Sequence, residues 1–166
     1  MSWRNQKNNP PTTFTSPFPC AGAVFVEGTT GLSIDGCQFE RLDGNAIMLS
    51  GYNRAASVTN SHFAWTGGTA IAAWGRTDEM SDAGVHGWDA TAGDIPQGTV
   101  ITDNIMRESG IWEKQVSAIT LCLLRHQTVL HFNTALLSLQ SSCFFQAKTA
   151  GSILNNNLCF NLPRGI

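Results

Sequence analysis

Acidic residues return at comparable places along this chain: Glu40 and Asp43, then Glu108, then Glu113, each at or just beyond a short apolar run. Glycoside hydrolysis needs two carboxyl groups facing one groove, about 5 to 9 Å apart depending on stereochemistry. Neighbouring parallel strands stack about 4.8 Å apart, so acids on adjacent coils of a repeating fold can meet at that spacing. Acids on a solvated coil face also occur with no role beyond solubility. Asp43, Glu108 and Glu113 are the catalytic candidates on this reading.

Binding candidates come from the indoles. An exposed tryptophan offers a sugar ring a flat apolar platform and an N–H donor. Trp88, with His86 and Asp89 close by, lies in a polar stretch where core packing explains it poorly. Trp74 and Trp112 lie in or beside apolar strands, where burial is the plain alternative. Arg76, His86 and Lys114 complete the expected substrate-binding set. Asp78, Glu79, Asp82, Asp89 and Asp94 are irregularly spaced and match no calcium-loop pattern, so no metal and no cofactor is expected.

These residues must be positioned by a repeat. Ile34-Asp35-Gly36-Cys37-Gln38-Phe39 returns as Val58-Thr59-Asn60-Ser61-His62-Phe63, as Ile101-Thr102-Asp103-Asn104-Ile105-Met106, and as Ile153-Leu154-Asn155-Asn156-Asn157-Leu158. Each phrase reads apolar, turn-forming, apolar, and most are followed by a glycine-containing bend and another apolar triplet. That periodicity predicts a parallel β-solenoid. Inward side chains then pile into columns: Ile34, Val58, Ile101 and Ile153; Phe39, Phe63, Met106 and Leu158; Ile47, Ile71, Ile111 and Ile166. Gly36, Asn60, Asp103 and Asn155 fall at the sharp turn between the first two columns, because Gly, Asn and Asp tolerate left-handed backbone. Stacked asparagine amides are expected to form ladders there.

Spacing locates two interruptions. Ile34 to Val58 is 24 residues, one coil, whereas Val58 to Ile101 is 43 and Ile101 to Ile153 is 52. The first surplus predicts a long loop near 76–97, polar, acidic and rich in glycine. The second falls on residues 116–140, which contain no Gly, no acid and no obvious repeat phrase. Two readings stand for this segment. It is a translated, retained intron, since Val-Ser suits a splice-donor codon pair and terminal Gln an acceptor, or it is a genuine amphipathic insertion with a helix around Leu121 to Leu139.

Composition narrows the function classes. Charged residues are 13% of the chain and the net charge is −2, without the clustered Lys and Arg of a nucleic-acid footprint, so no nucleic-acid partner is expected. No apolar run is long enough for a membrane span, and residues 1–19 read as an irregular segment lacking the apolar region of a signal peptide. The five cysteines form no metal-ligand spacing, and their odd number argues against a closed disulfide framework. Cys37 and Cys159 are expected as small packing residues.

Several runs carry a resemblance: Leu42-Asp43-Gly44-Asn45-Ala46, Leu49-Ser50-Gly51-Tyr52-Asn53-Arg54, Ala70-Ile71-Ala72-Ala73-Trp74-Gly75, Trp112-Glu113-Lys114-Gln115 and Phe145-Gln146-Ala147-Lys148-Thr149-Ala150. Through them the chain resembles the right-handed parallel β-helix, pectin-lyase-like superfamily, and within it a poorly characterised group of large β-helix proteins. The resemblance spans roughly residues 20–166 apart from 116–140, and in those relatives the Glu-Lys-Gln run leads almost directly into the counterpart of Ser141-Ser142, which favours the intron reading. It implies an all-β fold of about four right-handed coils, a fragment of a longer secreted or cell-surface protein. The implied activity is binding or processing of a polysaccharide, by a glycosidase or lyase. Fold membership alone confers none of these activities, so a non-catalytic adhesive scaffold and an inactive truncated product stand beside it. Open solenoid ends would also allow end-to-end stacking.

Overall fold

The computed structural model describes residues 22–75, 94–113, 117–122, 128–136, 143–147, 149 and 151–160. The described residues form sixteen strands: β1 Gly22–Thr30, β2 Ser33–Asp35, β3 Gln38–Leu42, β4 Asn45–Arg54, β5 Ser57–Thr59, β6 His62–Thr66, β7 Ile71–Trp74, β8 Pro96–Gln97, β9 Val100–Thr102, β10 Ile105–Ser109, β11 Ile119–Cys122, β12 Val129–His131, β13 Thr134–Leu136, β14 Phe144–Ala147, β15 Ile153–Asn155 and β16 Leu158–Phe160. No helix occurs among the described residues. The strands form three parallel sheets, in the orders β1-β4-β7-β11-β14, β2-β5-β9-β12-β15 and β3-β6-β10-β13-β16, with β8 attached to β4. Apart from β8, the chain visits the three sheets in strict rotation. That is the architecture of a parallel β-helix or solenoid, as the repeat predicts.

Register follows the expected columns over the first passes. Ile34 pairs with Val58, Val58 with Ile101, and Phe39 with Phe63 and Met106 behind it. Phe39 and Phe63 stack with ring centroids 5.0 Å apart. These residues form one continuous apolar core between the sheets. At the far end the expected register is one residue out. Leu154, not Ile153, pairs with Leu130 and joins the first column, and Cys159, not Leu158, pairs with Ala135 and joins the second. Ile153 is accordingly 52% exposed and Leu158 55%. A shift of one residue turns every side chain of a strand to its other face. The run Asn155-Asn156-Asn157 offers the turn two alternative positions, and pattern alone selected the wrong one.

The third column is corrected as well. Ile119 follows Ile47 and Ile71, with Phe144 next, while Ile111 sits in a bend outside any strand and Ile166 lies outside the described residues. Segment 116–140, expected as a non-repeat insertion, instead supplies β11, β12 and β13. Each of these strands is paired on both sides, β11 between β7 and β14, β12 between β9 and β15, and β13 between β10 and β16. Strand pairing over Leu121, Val129–His131 and Thr134–Leu136 likewise replaces the expected helix. The repeat was hidden because Leu130-His131-Phe132-Asn133-Thr134-Ala135 keeps the inward pattern but places Phe at the turn and Ala in the column.

The turn between the second and third sheets is a stack of left-handed residues: Gly36, Asn60, Asp103, Phe132 and Asn156, with φ of 62, 48, 56, 50 and 51°. Ser61, Asn104 and Asn133, the residues after three of these turns, are buried, whereas Cys37 after the first is exposed, and an amide ladder forms along this row. Asn104, Asn133 and Asn157 donate their side-chain N–H groups to the carbonyls of Val58, Ile101 and Leu130 at 2.9, 2.9 and 2.8 Å. Their Oδ1 atoms receive the backbone N–H groups of Ser61, Asn104 and Asn133 at 2.9, 3.2 and 3.0 Å. Buried turn amides would otherwise lack partners.

The cysteines also depart from expectation. Cys143 and Cys159 form a disulfide, Cα to Cα 6.1 Å, despite the odd total. Cys37 is exposed rather than packed, and Cys122 is buried.

Candidate functional site

The chain passes from the third sheet to the first through glycine-rich bends that stack on one another: Asp43-Gly44 after β3, Gly67-Gly68 after β6, and Gly110 to Glu113 after β10. Backbone hydrogen bonds tie them together. Gly67 and Gly68 donate to the carbonyls of Leu42 and Gly44 at 2.7 and 3.1 Å, and the Gly67 carbonyl accepts from both Trp112 and Glu113 at 3.1 and 3.0 Å. The glycines are required here for space. A Cβ on Gly67 would overlap the Asp43 carbonyl and approach Trp112 Cδ1 to 2.6 Å, and one on Gly68 would stand 2.6 Å from Asn45 Oδ1 and 2.9 Å from Glu113 Oε2. The missing side chains thus let Asp43, Asn45, Trp112 and Glu113 close on one corner.

Trp112 is 72% exposed, the most open large apolar side chain among the described residues. Beside it Glu113 is half-buried, and desolvation pushes its carboxyl above the ordinary glutamate value. Asp43 is exposed at the same corner. Asn45 is buried, and its Oδ1 receives the Thr69 N–H at 2.8 Å, which fixes the entry into β7. The arrangement presents an exposed indole next to a half-buried carboxyl group that holds its proton to higher pH than an ordinary glutamate, on a corner to which Asp43 contributes its backbone carbonyl.

Three of the expected site residues, Asp43, Trp112 and Glu113, are therefore brought together. Glu108 is not placed beside the paired glycines. It sits one bend earlier on β10 with φ of 54°, and its Oε2 is buried without a hydrogen-bond partner. Trp74 lies on β7, half-buried, in register with Ser50 and Cys122 on the first sheet rather than at the corner. Arg76, His86, Trp88 and Lys114 lie outside the described residues, as does most of the expected 76–97 loop; its end, β8, pairs with β4 at Asn53 and Arg54. Sequence reasoning missed Asn45 and the Gly67–Gly68 floor. The signal available was the paired glycine directly before the triplet that opens β7.

Among the described residues no group of three or more His, Cys, Asp or Glu side chains is placed to hold a metal ion, and no helix is long and apolar enough to cross a membrane. No protein-family model matches the chain, and no curated protein or solved structure does so either.

Proposed function

We propose that this chain is part of a right-handed, pectin-lyase-like β-helix protein that binds polysaccharide at the Asp43–Gly67–Trp112–Glu113 corner. The exposed Trp112 indole carries the reading, since an indole held open on a rigid backbone floor is the usual apolar platform for a sugar ring. Backbone bonds from Trp112 and Glu113 to Gly67 hold that platform in place before any ligand arrives. Processing of the glycan would draw on Glu113 as proton donor, because desolvation raises its carboxyl above the ordinary glutamate value, with Asp43 as the second carboxyl group. The Cys143–Cys159 disulfide supports an extracellular or cell-surface location, where such bonds persist.

The test is affinity electrophoresis of the chain and its Trp112→Ala variant through a panel of embedded neutral and acidic polysaccharides, with reducing-end release assayed in parallel. Retardation by at least one glycan, lost in Trp112→Ala while circular dichroism is unchanged, is the expected result. Retardation that survives the substitution would move the contact elsewhere, and none at all would favour a non-binding scaffold.

A further inference from the structure

The third sheet carries a column of left-handed, non-glycine residues, Arg41, Trp65 and Glu108, with φ of 56, 53 and 54°. They fall at one level of the sheet, since Glu40 pairs with Ala64, Ala64 with Arg107, and Leu42 and Ser109 both with Thr66. At this level the half-buried Trp65 indole lies against two guanidinium groups, that of Arg41 at 5.5 Å and that of Arg107 at 5.4 Å from the ring centroid. The two arginines come from β3 and β10, the strands on either side of β6, and both are exposed. The acids nearest in sequence are directed elsewhere. Glu40 is engaged by Gln38 at 2.6 Å and by His62 at 3.5 Å, and Glu108 turns one carboxyl oxygen into the protein. Neither arginine is ion-paired among the described residues.

Two unpaired cations, held two strand spacings or about 10 Å apart, cannot both grip one small anion. They suit a polymer whose negative charges recur along the strand-stacking direction, each met by a planar guanidinium fork. Trp65 is engaged by a guanidinium from each side, which removes it as a stacking platform for nucleobases, and the chain's net charge of −2 disfavours a nucleic acid further. Trp65 also lies two residues before Gly67, so the row leads toward Trp112. We infer that Arg41 and Arg107 form an anion-binding row for a polysaccharide bearing carboxylate or sulfate groups, an inference that rests on the glycan reading of the Trp112 corner and adds the charge of the ligand.

The experiment compares neutral dextran, carboxymethyl-dextran, dextran sulfate and poly(dT) as ligands for the native chain, for Arg41→Gln/Arg107→Gln and for Arg41→Lys/Arg107→Lys, with circular dichroism as the folding control. The native chain should bind one of the charged dextrans at least about tenfold more tightly than dextran, and the double Gln variant should lose that margin while dextran binding is unchanged. A preference between carboxymethyl-dextran and dextran sulfate identifies the anionic group, and either preference supports the row. Should the Gln variant unfold, the native chain's binding to the charged dextrans must still weaken steeply with added salt, and the Lys variant must fall between native and neutral behaviour; salt-independent binding overturns the inference. Tighter binding of poly(dT) than of either charged dextran also overturns it. A chain that binds dextran through Trp112 but gains nothing from charge overturns this inference alone, whereas one that binds none of the dextrans overturns the glycan reading with it.

Discussion

Asn133 Oδ1 accepts both the backbone N–H and the side-chain amide of Asn104, at 3.2 and 3.1 Å, and both asparagines are fully buried. The same residue donates its side-chain N–H groups to the Ile101 carbonyl and to Asn157 Oδ1, at 2.9 and 3.0 Å. One amide therefore closes the accounts of two neighbouring passes of the chain.

Asn133→Ala should leave the Asn104 N–H and the Ile101 carbonyl buried and unpaired. Each such group costs about 1 to 3 kcal/mol, so a loss of about 2 to 6 kcal/mol is expected in urea unfolding. A loss below about 1 kcal/mol would show that the ladder relaxes onto other partners.

Leu130 and Val129 test whether segment 116–140 is part of the solenoid. Leu130 is fully buried between Ile101 and Leu154, while Val129 is only partly covered on the opposite face. Leu130→Ala should destabilise by about 2 to 5 kcal/mol, and Val129→Thr by less than about 1 kcal/mol. Equal, small effects would place the segment outside the packed core.

Phe132 holds φ of 50° with its ring 55% exposed, where the equivalent passes use Gly36, Asn60, Asp103 and Asn156. Left-handed backbone costs an ordinary residue about 1 to 2 kcal/mol, and asparagine tolerates it better. Phe132→Asn is expected to raise the thermal midpoint by a few degrees, about 1 kcal/mol at this chain length. The ring also packs on His131, at 4.0 Å between centroids, so a lowered midpoint would mean that this contact outweighs the strain.

Glu113 gives a pH dependence of defined sign. Its folded value is raised by desolvation, so the stability its neutral form supports is complete below the ordinary glutamate value and is lost as pH rises through the folded one. Glu113→Gln, which stays neutral, should therefore melt higher than the native chain at pH 7 and match it below about pH 4. Identical midpoints at both pH values would remove the desolvation argument, and with it the case for Glu113 as a proton donor.

How much was legible in the sequence differs from element to element. Ile34, Val58 and Ile101 declared the first column, and Phe39, Phe63 and Met106 the second, because apolar spacing of five residues around a turn former leaves a parallel solenoid little choice. Of the ladder asparagines only Asn104 was readable for the same reason; Asn133 was hidden in segment 116–140 and Asn157 by the one-residue error in the last pass. The last pass was misread because Ile153-Leu154 followed by three asparagines satisfies two registers equally in one dimension. Only pairing against Leu130 and Ala135 separates them. Segment 116–140 was misread because composition outweighed pattern: its leucines, the Phe132 turn and the Ala135 column position disguise a pass that backbone pairing on both sides admits.

The candidate site divides along the same line. Sequence by itself determined which residues bear carboxyl and indole groups, and that glycine bends separate the strands. Tertiary structure decided that Asp43, Trp112 and Glu113 share a corner while Glu108 and Trp74 stand apart, and that Arg41 and Arg107 flank Trp65. Residues tens of positions apart meet here only through strand stacking. That meeting is set by register and by left-handed backbone such as that at Arg41 and Trp65, neither of which leaves a mark on local composition.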